Sequence, residues 1–256
     1  MVDELAGPDV GLPTHLGGDV WLTVGNDIAP EVEFGGRLYL RFMDRLLIPE
    51  PTSHLALESI LAINRWRERL LARTDLPHRT LVRRLTTAAC LAIGPGPMIE
   101  IGCGKFPFGP ELGADDYTGI DIDPEALAHG RNLGLCMASD PGDVAVDPSH
   151  TATVVSMFAF QFPLSDSIAG MLRATREECV FVLNLPTKDD GLVAERLAML
   201  RSAGFNPTIL DLMPSGAHDR LIFASRPAGL VRCRLALEAA RKALSCRNRC
   251  EDGAGD

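Results

Sequence analysis

Two carboxylates and a pair of glycines stand out within residues 98–131, MIEIGCGKFPFGPELGADDYTGIDIDPEALAHGR. Glu100 lies in a short, mostly apolar run, Met98 to Ile101, that ends in Gly102-Cys103-Gly104. A second run, Tyr117 to Ile122, closes on Asp121 and Asp123 and leads into a helical pattern. The order is strand, glycine turn, connection, strand, acidic end. In an open α/β sheet ligands sit outside the carboxyl ends of the strands, where glycines let the backbone approach closely. A carboxylate at the end of the second strand can accept both hydroxyls of a ribose, so these residues point to a nucleoside-bearing cofactor.

The spacing selects among such cofactors. A dinucleotide site requires G-x-G-x-x-G running straight into a helix whose N-terminus holds the pyrophosphate. Here the third glycine is missing, and Lys105-Phe106-Pro107-Phe108-Gly109-Pro110 places two prolines where that helix should begin. The segment instead resembles motif I of the class I S-adenosylmethionine-dependent methyltransferases, E/D-x-G-x-G-x-G followed by an acidic strand end. Glu100, Gly102 and Gly104 match, as does a G-x-D-x-[SD]-P continuation at Gly119, Asp121, Asp123 and Pro124. The chain departs from the motif at its third glycine, which is Phe106.

The resemblance implies S-adenosyl-L-methionine as cofactor and assigns roles residue by residue. Glu100, under the glycine turn, would hold the cofactor's amino group directly or through water. Asp121 would take the ribose hydroxyls, and Ile122 would pack on the adenine face. Asp140, after the third strand, would bond the adenine amino group; Asp143, in a Gly142-Asp143 pair, competes for that role. Ser156 and Met157, with the rest of Ser156-Met157-Phe158-Ala159-Phe160-Gln161-Phe162, fall at the fourth strand end, which faces the sulfonium and the acceptor. Gln161 stands where many small-molecule methyltransferases have His; an amide cannot serve as a general base but can orient a substrate. Asn184, at the end of the fifth strand, brings a second amide to the same rim. His54, His218 and Asp219 could also reach the pocket, and Arg37 or Arg41 could hold a carboxylate.

From residue 97 onward the pattern that must position these groups is regular. Strands are expected at 98–102, 117–122, 135–139, 153–159, 179–184, 207–212 and 220–225. Helices fall between, at Pro124–Leu133, Ser165–Arg176 and Leu192–Ala203. Near-continuous apolar strands such as Val154-Val155-Ser156-Met157-Phe158 indicate a parallel sheet covered on both faces. The last two strands are joined by too few residues for a crossover, so they form an antiparallel pair. The expected fold is α/β: a three-layer sandwich with a seven-stranded, mostly parallel sheet ending in an antiparallel hairpin, plus an N-terminal helical addition. Its segments are an N-terminal arm and helical lid over 1–95, a class I methyltransferase-like domain over 96–228, and a C-terminal helix and disordered tail over 229–256.

Within the N-terminal segment, residues 1–30 read as an irregular arm, with helices at Glu33–Leu47, His54–Arg73 (Ser53 as N-cap) and His78–Ile93. The last helix, Leu230 to Arg247, carries Arg232, Arg234, Arg241 and Lys242 on what reads as a solvated face, and Glu251 to Asp256 reads as disordered.

Composition sets the outer bounds. The chain has 256 residues, 46% of them apolar, enough for a sizeable core. No apolar run reaches the roughly 18 residues of a membrane span, and the N-terminus lacks a signal-peptide pattern, so a cytoplasmic location is expected. A net charge of −9 argues against nucleic-acid binding. Seven scattered cysteines without a CxxC read as reduced thiols, and Cys246 and Cys250 lack a nearby His, so no metal is expected. The implied activity is methyl transfer to a small-molecule acceptor, with a homodimer through the N-terminal helices as a further expectation. Two alternatives stay open: transfer or cyclisation of the cofactor's aminocarboxypropyl arm, and a non-catalytic binding or scaffold subunit.

Overall fold

Gly35 and Gly36, both with positive φ (60° and 73°), make a two-residue turn between two alternating runs, and this turn decides the architecture before the main sheet. The computed structural model describes residues 13–23, 31–42, 46–71, 77–114, 116–140, 148–162, 164, 166–187, 189–212 and 219–252. The turn joins β3 (Glu31–Phe34) to β4 (Arg37–Phe42). With β1 (Thr14–Gly17), β2 (Val20–Leu22) and β5 (Leu46–Pro49) they form an antiparallel sheet in the order β1-β2-β5-β4-β3. The helix expected over Glu33–Leu47 is therefore a set of strands, and part of the arm expected over 1–30 is a hairpin. The physical reason is that Phe34, Leu38, Phe42 and Leu46 recur every four residues, which suits a helix and one face of a strand equally. Glycines at 35 and 36 destabilise only the helix.

Two helices follow, α1 (Leu57–Leu71) and α2 (Pro77–Ile93). A short 3-10 turn, Thr52–His54, precedes α1, so Ser53 does not stand directly before that helix as a cap would.

The main sheet contains β6 (Met98–Ile101), β7 (Tyr117–Ile120), β8 (Cys136–Ala138), β9 (Thr153–Ser156), β10 (Val180–Pro186), β11 (Asn206–Asp211) and β12 (Asp219–Ser225). Its order is β11-β12-β10-β9-β6-β7-β8, with β12 antiparallel to both neighbours and every other pair parallel. The helices of this part are α3 (Pro124–Asn132), α4 (Asp166–Ala174), α5 (Asp190–Ser202) and α6 (Leu230–Asp252). Between β6 and β7 the described chain has only a 3-10 turn, Gly109–Leu112, with Pro110 in its first turn.

Successive strand residues face opposite layers, which splits the core in two. Val155, Val182 and Phe223 pack with α1, α2 and α6, together with Leu40, Phe42, Leu46 and Ile48 of the N-terminal sheet. Val154, Phe181 and Ile222 pack with α4 and α5. The last helix thus belongs to the same core as the sheet, and it runs to Asp252, into the segment expected to be disordered. Arg232 differs from the expected solvated face: its guanidinium donates to the carbonyl of Ile93 at 3.2 Å, tying the start of α6 to the end of α2. Among the described residues no helix is long and apolar enough to cross a membrane.

Candidate functional site

The chain leaves β6 toward β7 and β8 on one side and returns to β9 on the other. The gap between the carboxyl ends of β6 and β9 is therefore the point where strand order reverses, the place where open α/β sheets bind ligands. A cleft opens there. Gly102 and Cys103 line it from the β6 turn and Met157 and Phe158 from the β9 turn, while Arg79 and Arg83 close it from α2. Glu100 and Phe106 complete it.

Gly102 is required twice. Its φ is 72°, and a Cβ on it would lie 2.1 Å from the Cβ of Ala159, so the two turns touch where a side chain would otherwise stand. Gly104 follows with φ 59° and donates its N–H to Asp121 Oδ2 at 2.7 Å. The other oxygen of Asp121 accepts from Asp123 N at 2.9 Å. Both bonds fix the carboxylate at the end of β7. A carboxylate offers about four lone-pair sites, so a group held this way has the capacity to accept hydroxyls as well. Ile122, beside it, is 47% exposed, a large apolar surface directly adjoining the carboxylate. Asp123 caps α3 by accepting from Glu125 N at 2.9 Å.

Glu100 is buried, and its Oε2 accepts both Phe108 N and the Tyr117 hydroxyl at 2.7 Å. It thereby pins the Lys105–Phe108 loop and β7 to β6. Burial, with Glu100 adding to it, pushes the Tyr117 hydroxyl well above the usual phenol range. Burial likewise pushes the Cys90 thiol up to about 12, with the Glu100 charge again contributing. Both groups stay protonated donors at neutral pH. Lys105 reaches outward to Glu125 at 2.9 Å and, by bonding it, holds that exposed carboxyl below its ordinary value.

The turn after β9 is held at nearly every backbone position. Phe158 has φ 59°, the left-handed region, and its N–H donates to Asn184 Oδ1 at 3.3 Å. Its carbonyl accepts from Gln161 Nε2 at 3.0 Å. Arg196 Nε donates to the carbonyl of Phe160 at 3.0 Å and Nη2 to that of Phe162 at 2.9 Å. Thr52, from the segment between β5 and α1, donates its hydroxyl to the carbonyl of Gln161 at 3.2 Å. Gln161 is fully buried with its amide turned back onto its own turn, and its buried Oε1 has no hydrogen-bond partner among the described residues. Asn184 uses its other amide atom on Asp219 Oδ1 at 3.2 Å and on the carbonyl of Arg220 at 3.3 Å. Ser156 sits in register with Ile101 and Leu183, its buried hydroxyl without a hydrogen-bond partner among the described residues.

The remaining expected residues disperse. Asp140 is half-buried just beyond β8, and Asp143 lies outside the described residues. His54 is exposed, and His218 lies outside the described residues. Asp219 is buried as the partner of Asn184. Arg37 is on a strand and pairs with Asp19 at 2.8 Å, and Arg41 shares that strand. The residues missed by the sequence reading are Arg79, Arg83, Arg196 and Thr52. Arg83 bonds Glu111, Nε to Oε2 at 3.0 Å, and lies 5.3 Å from the centre of the Phe108 ring. Arg79 lies 5.5 Å from the centre of the Phe106 ring. Their spacing of four, on one side of α2, is the only signal the sequence carries for them.

The sheet, with its reversal point and terminal antiparallel strand, has the class I methyltransferase arrangement, and many solved structures of that class match it. No family model and no curated protein sequence matches the chain. A TehB-like SAM-dependent methyltransferase from Corynebacterium glutamicum matches at 16% identity and a TM-score of 0.48, over 65% of this chain and 97% of that one. A magnesium protoporphyrin IX methyltransferase from Synechocystis, solved with bound SAM, matches at 14% identity and a TM-score of 0.47, over 64% and 90%. A mitomycin 7-O-methyltransferase matches at 16% identity and a TM-score of 0.45, over 66% and 57%. None of these three reaches a TM-score of 0.5, so what the cleft binds must be argued from its own residues.

Proposed function

We propose that the protein is an S-adenosyl-L-methionine-dependent methyltransferase acting on a small-molecule acceptor in the cytoplasm. The observation that carries this reading is the joint placement of the Gly102–Gly104 turn and the fixed Asp121 carboxylate beside the point where strand order reverses. Asp121 binds the ribose hydroxyls, Ile122 covers one adenine face, and Asp140 meets the adenine amino group. Glu100 supplies negative charge beneath the amino-acid end, while Ser156 and Met157 border the tail of the cofactor. The donor set fits such a cofactor: a diol acceptor, an apolar face, and charges of both signs in the cleft.

When bound, the cofactor supplies the electrophilic methyl group. The chain's residues then need only hold the acceptor in line and exclude water, and positioning of this kind contributes up to ~7–11 kcal/mol. Phe158 brings an aromatic ring to the cleft, a surface suited to a sulfonium cation. Gln161 and Asn184 act by holding that ring in place. The N-terminal unit forms the lid on the acceptor side, attached to the rim through Thr52.

Calorimetric titration with S-adenosylhomocysteine tests the reading, with micromolar affinity expected. Turnover of S-adenosylmethionine with pooled small-molecule acceptors should release S-adenosylhomocysteine. Methylthioadenosine as the product would instead favour transfer of the aminocarboxypropyl arm. Absence of binding at millimolar ligand would end the cofactor assignment.

A further inference from the structure

Helices α2 and α6 lie side by side and antiparallel over one layer of the core. Arg232, near the start of α6, reaches the carbonyl of Ile93 at the end of α2. Farther along, Arg84 of α2 donates to the carbonyl of Ala243 at 3.3 Å. Val82, Leu85 and Ala89 face the core from α2, and Cys233, Ala236 and Ala240 face it from α6. The opposite side of the pair faces outward. Arg84 and Leu91 are exposed there, two turns apart on α2. So are Val231, Leu235 and Lys242, which share one stripe of α6, and Arg234 and Arg241, which form the next. Residues 77–93 and 230–246 together hold seven Arg and Lys but a single acid, Glu238, in a chain whose net charge is −9. Arg79, Arg83 and Arg232 are engaged at the cleft or on Ile93. The other four, Arg84, Arg234, Arg241 and Lys242, take part in no ion pair among the described residues.

Beside these cations stand three large aliphatic side chains, Leu91, Val231 and Leu235, exposed by 66%, 70% and 48%. They gather where Arg232 joins the two helices, while Arg84, Arg241 and Lys242 lie toward the other end. One exposed leucine is ordinary, but three beside four unpaired cations in an acidic chain are not. A second copy meeting this face by symmetry would set cation against cation. Nucleic acid would satisfy the cations and not the aliphatic groups, and neither stretch has a Phe, Tyr or Trp to stack on a base. An anionic bilayer meets both needs. Its phosphates face the cations, and aliphatic side chains enter the boundary between headgroups and acyl chains. We infer that the outward face of α2 and α6 docks on an anionic phospholipid surface as a peripheral contact. The acidic remainder of the chain is repelled by such a surface, so it orients the molecule with this face toward the lipid. Docking here is independent of what the cleft binds, although α2 borders the cleft through Arg79 and Arg83.

Vesicle flotation with the full chain tests this. Vesicles of phosphatidylcholine alone are compared with vesicles in which about a third of the lipid is phosphatidylglycerol. The wild type should float with the anionic vesicles at about 0.1 M NaCl, stay behind with the neutral ones, and be released at about 0.5 M, where exposed charges are screened. Arg241→Glu combined with Lys242→Glu should lower the bound fraction about fivefold or more, since each cation near such a surface adds to the attraction. Leu91→Ser combined with Val231→Ser should lower it as well. All four side chains are exposed, so thermal melts of both variants should match the wild type. Arg201→Glu changes an exposed cation of α5, which packs on the other layer, and should float as the wild type does. Failure of the wild type to float with anionic vesicles overturns the inference. So does equal loss in Arg201→Glu, or flotation that the charge-reversed variant retains. Binding of a single-stranded RNA without vesicle binding would give the face to nucleic acid instead. A dimer in sedimentation equilibrium that Leu91→Ser with Val231→Ser dissociates, without vesicle binding, would give it to a second copy. Either result also overturns the lipid assignment.

Discussion

Asn184 accepts the N–H of Phe158 at 3.3 Å, and Phe158 is the one non-glycine among the described residues with a positive φ. The pairing joins the end of β10 to the turn after β9, and both lie at the carboxyl edge beside the cleft. A left-handed phenylalanine costs on the order of 1–3 kcal/mol and persists only where its surroundings over-determine it. Here Asn184, Gln161 and Arg196 hold the turn from three directions, and Thr52 holds it from a fourth. The ring is thereby presented to the cleft in one orientation.

Asn184→Ala tests that arrangement. It removes the acceptor for Phe158 N and leaves Asp219, a buried carboxylate, without one donor. Loss of buried partners of this kind costs about 1–3 kcal/mol, which denaturant titration will detect. Turnover should fall further than S-adenosylhomocysteine affinity, because the nucleoside contacts are elsewhere. Full turnover in a folded Asn184→Ala protein would remove Phe158 from the mechanism.

Asp121→Asn keeps the shape of the side chain and removes its charge. The bonds from Gly104 N and Asp123 N ask only for acceptors, and one amide oxygen can satisfy one of them. Bonds from ligand hydroxyls to a charged acceptor are each worth ~1.5–3 kcal/mol, so affinity should drop tenfold or more. Methylthioadenosine should lose as much as S-adenosylhomocysteine, since both carry the ribose. Equal affinity in wild type and variant by calorimetry would move the nucleoside away from β7.

Gly102→Ala should be destabilised by two separate effects. The new methyl would lie 2.1 Å from the Cβ of Ala159, and the backbone keeps a φ of 72°. Overpacking contributes about 1–3 kcal/mol, and strain at positive φ adds to it. The double variant Gly102→Ala with Ala159→Gly removes the clash but not the strain, so it should recover part of the loss. Recovery of nothing, in thermal melts of the single and double variants, would show that φ alone matters.

Much of the sheet is legible in the sequence because both faces are buried. Val154 and Val155 face opposite layers, and so do Phe181 and Val182, so burial writes near-continuous apolar runs. The terminal antiparallel strands are legible because the connection from β11 to β12 is too short for a crossover. The five-stranded sheet is not, because Phe34, Leu38, Phe42 and Leu46 carry a spacing common to helices and strands. There the Gly35-Gly36 pair is the informative signal.

At the site, the glycines and Asp121 are visible because a motif requires residue types. Arg79 and Arg83 are not, because only the packing of α2 beside the β6 turn brings them to the cleft. Asn184 and Gln161 can be located at the rim from sequence, yet an amide's type does not tell whether it faces a ligand or the backbone. In the fold both turn toward the backbone of their own rim.

The junction between the N-terminal sheet and the rim leads to a prediction about pH. Glu50, at the junction of the N-terminal sheet and the rim, accepts Thr52 N at 3.2 Å and the Thr187 hydroxyl at 3.4 Å. Burial is the main cause holding its carboxyl above the ordinary value of 4.5, and the charges of Asp189 and Glu31 push the same way, while the two hydrogen bonds oppose them. A group whose folded-state pKa is raised binds its proton more tightly in the native state, so its stabilising effect is complete below the unfolded value. That effect is lost as pH rises from 4.5 through the folded-state pKa, and at neutral pH the charge is a liability. Glu50→Gln removes the charge and keeps an oxygen for Thr52 N. Its melting temperature should equal the wild type's near pH 4 and exceed it at pH 7, by a modest margin because the site is only half-buried. A variant less stable than wild type by the same margin at both pH values would mean that the carboxylate is needed for its hydrogen bonds, and that the N-terminal sheet is fastened there by charge rather than in spite of it.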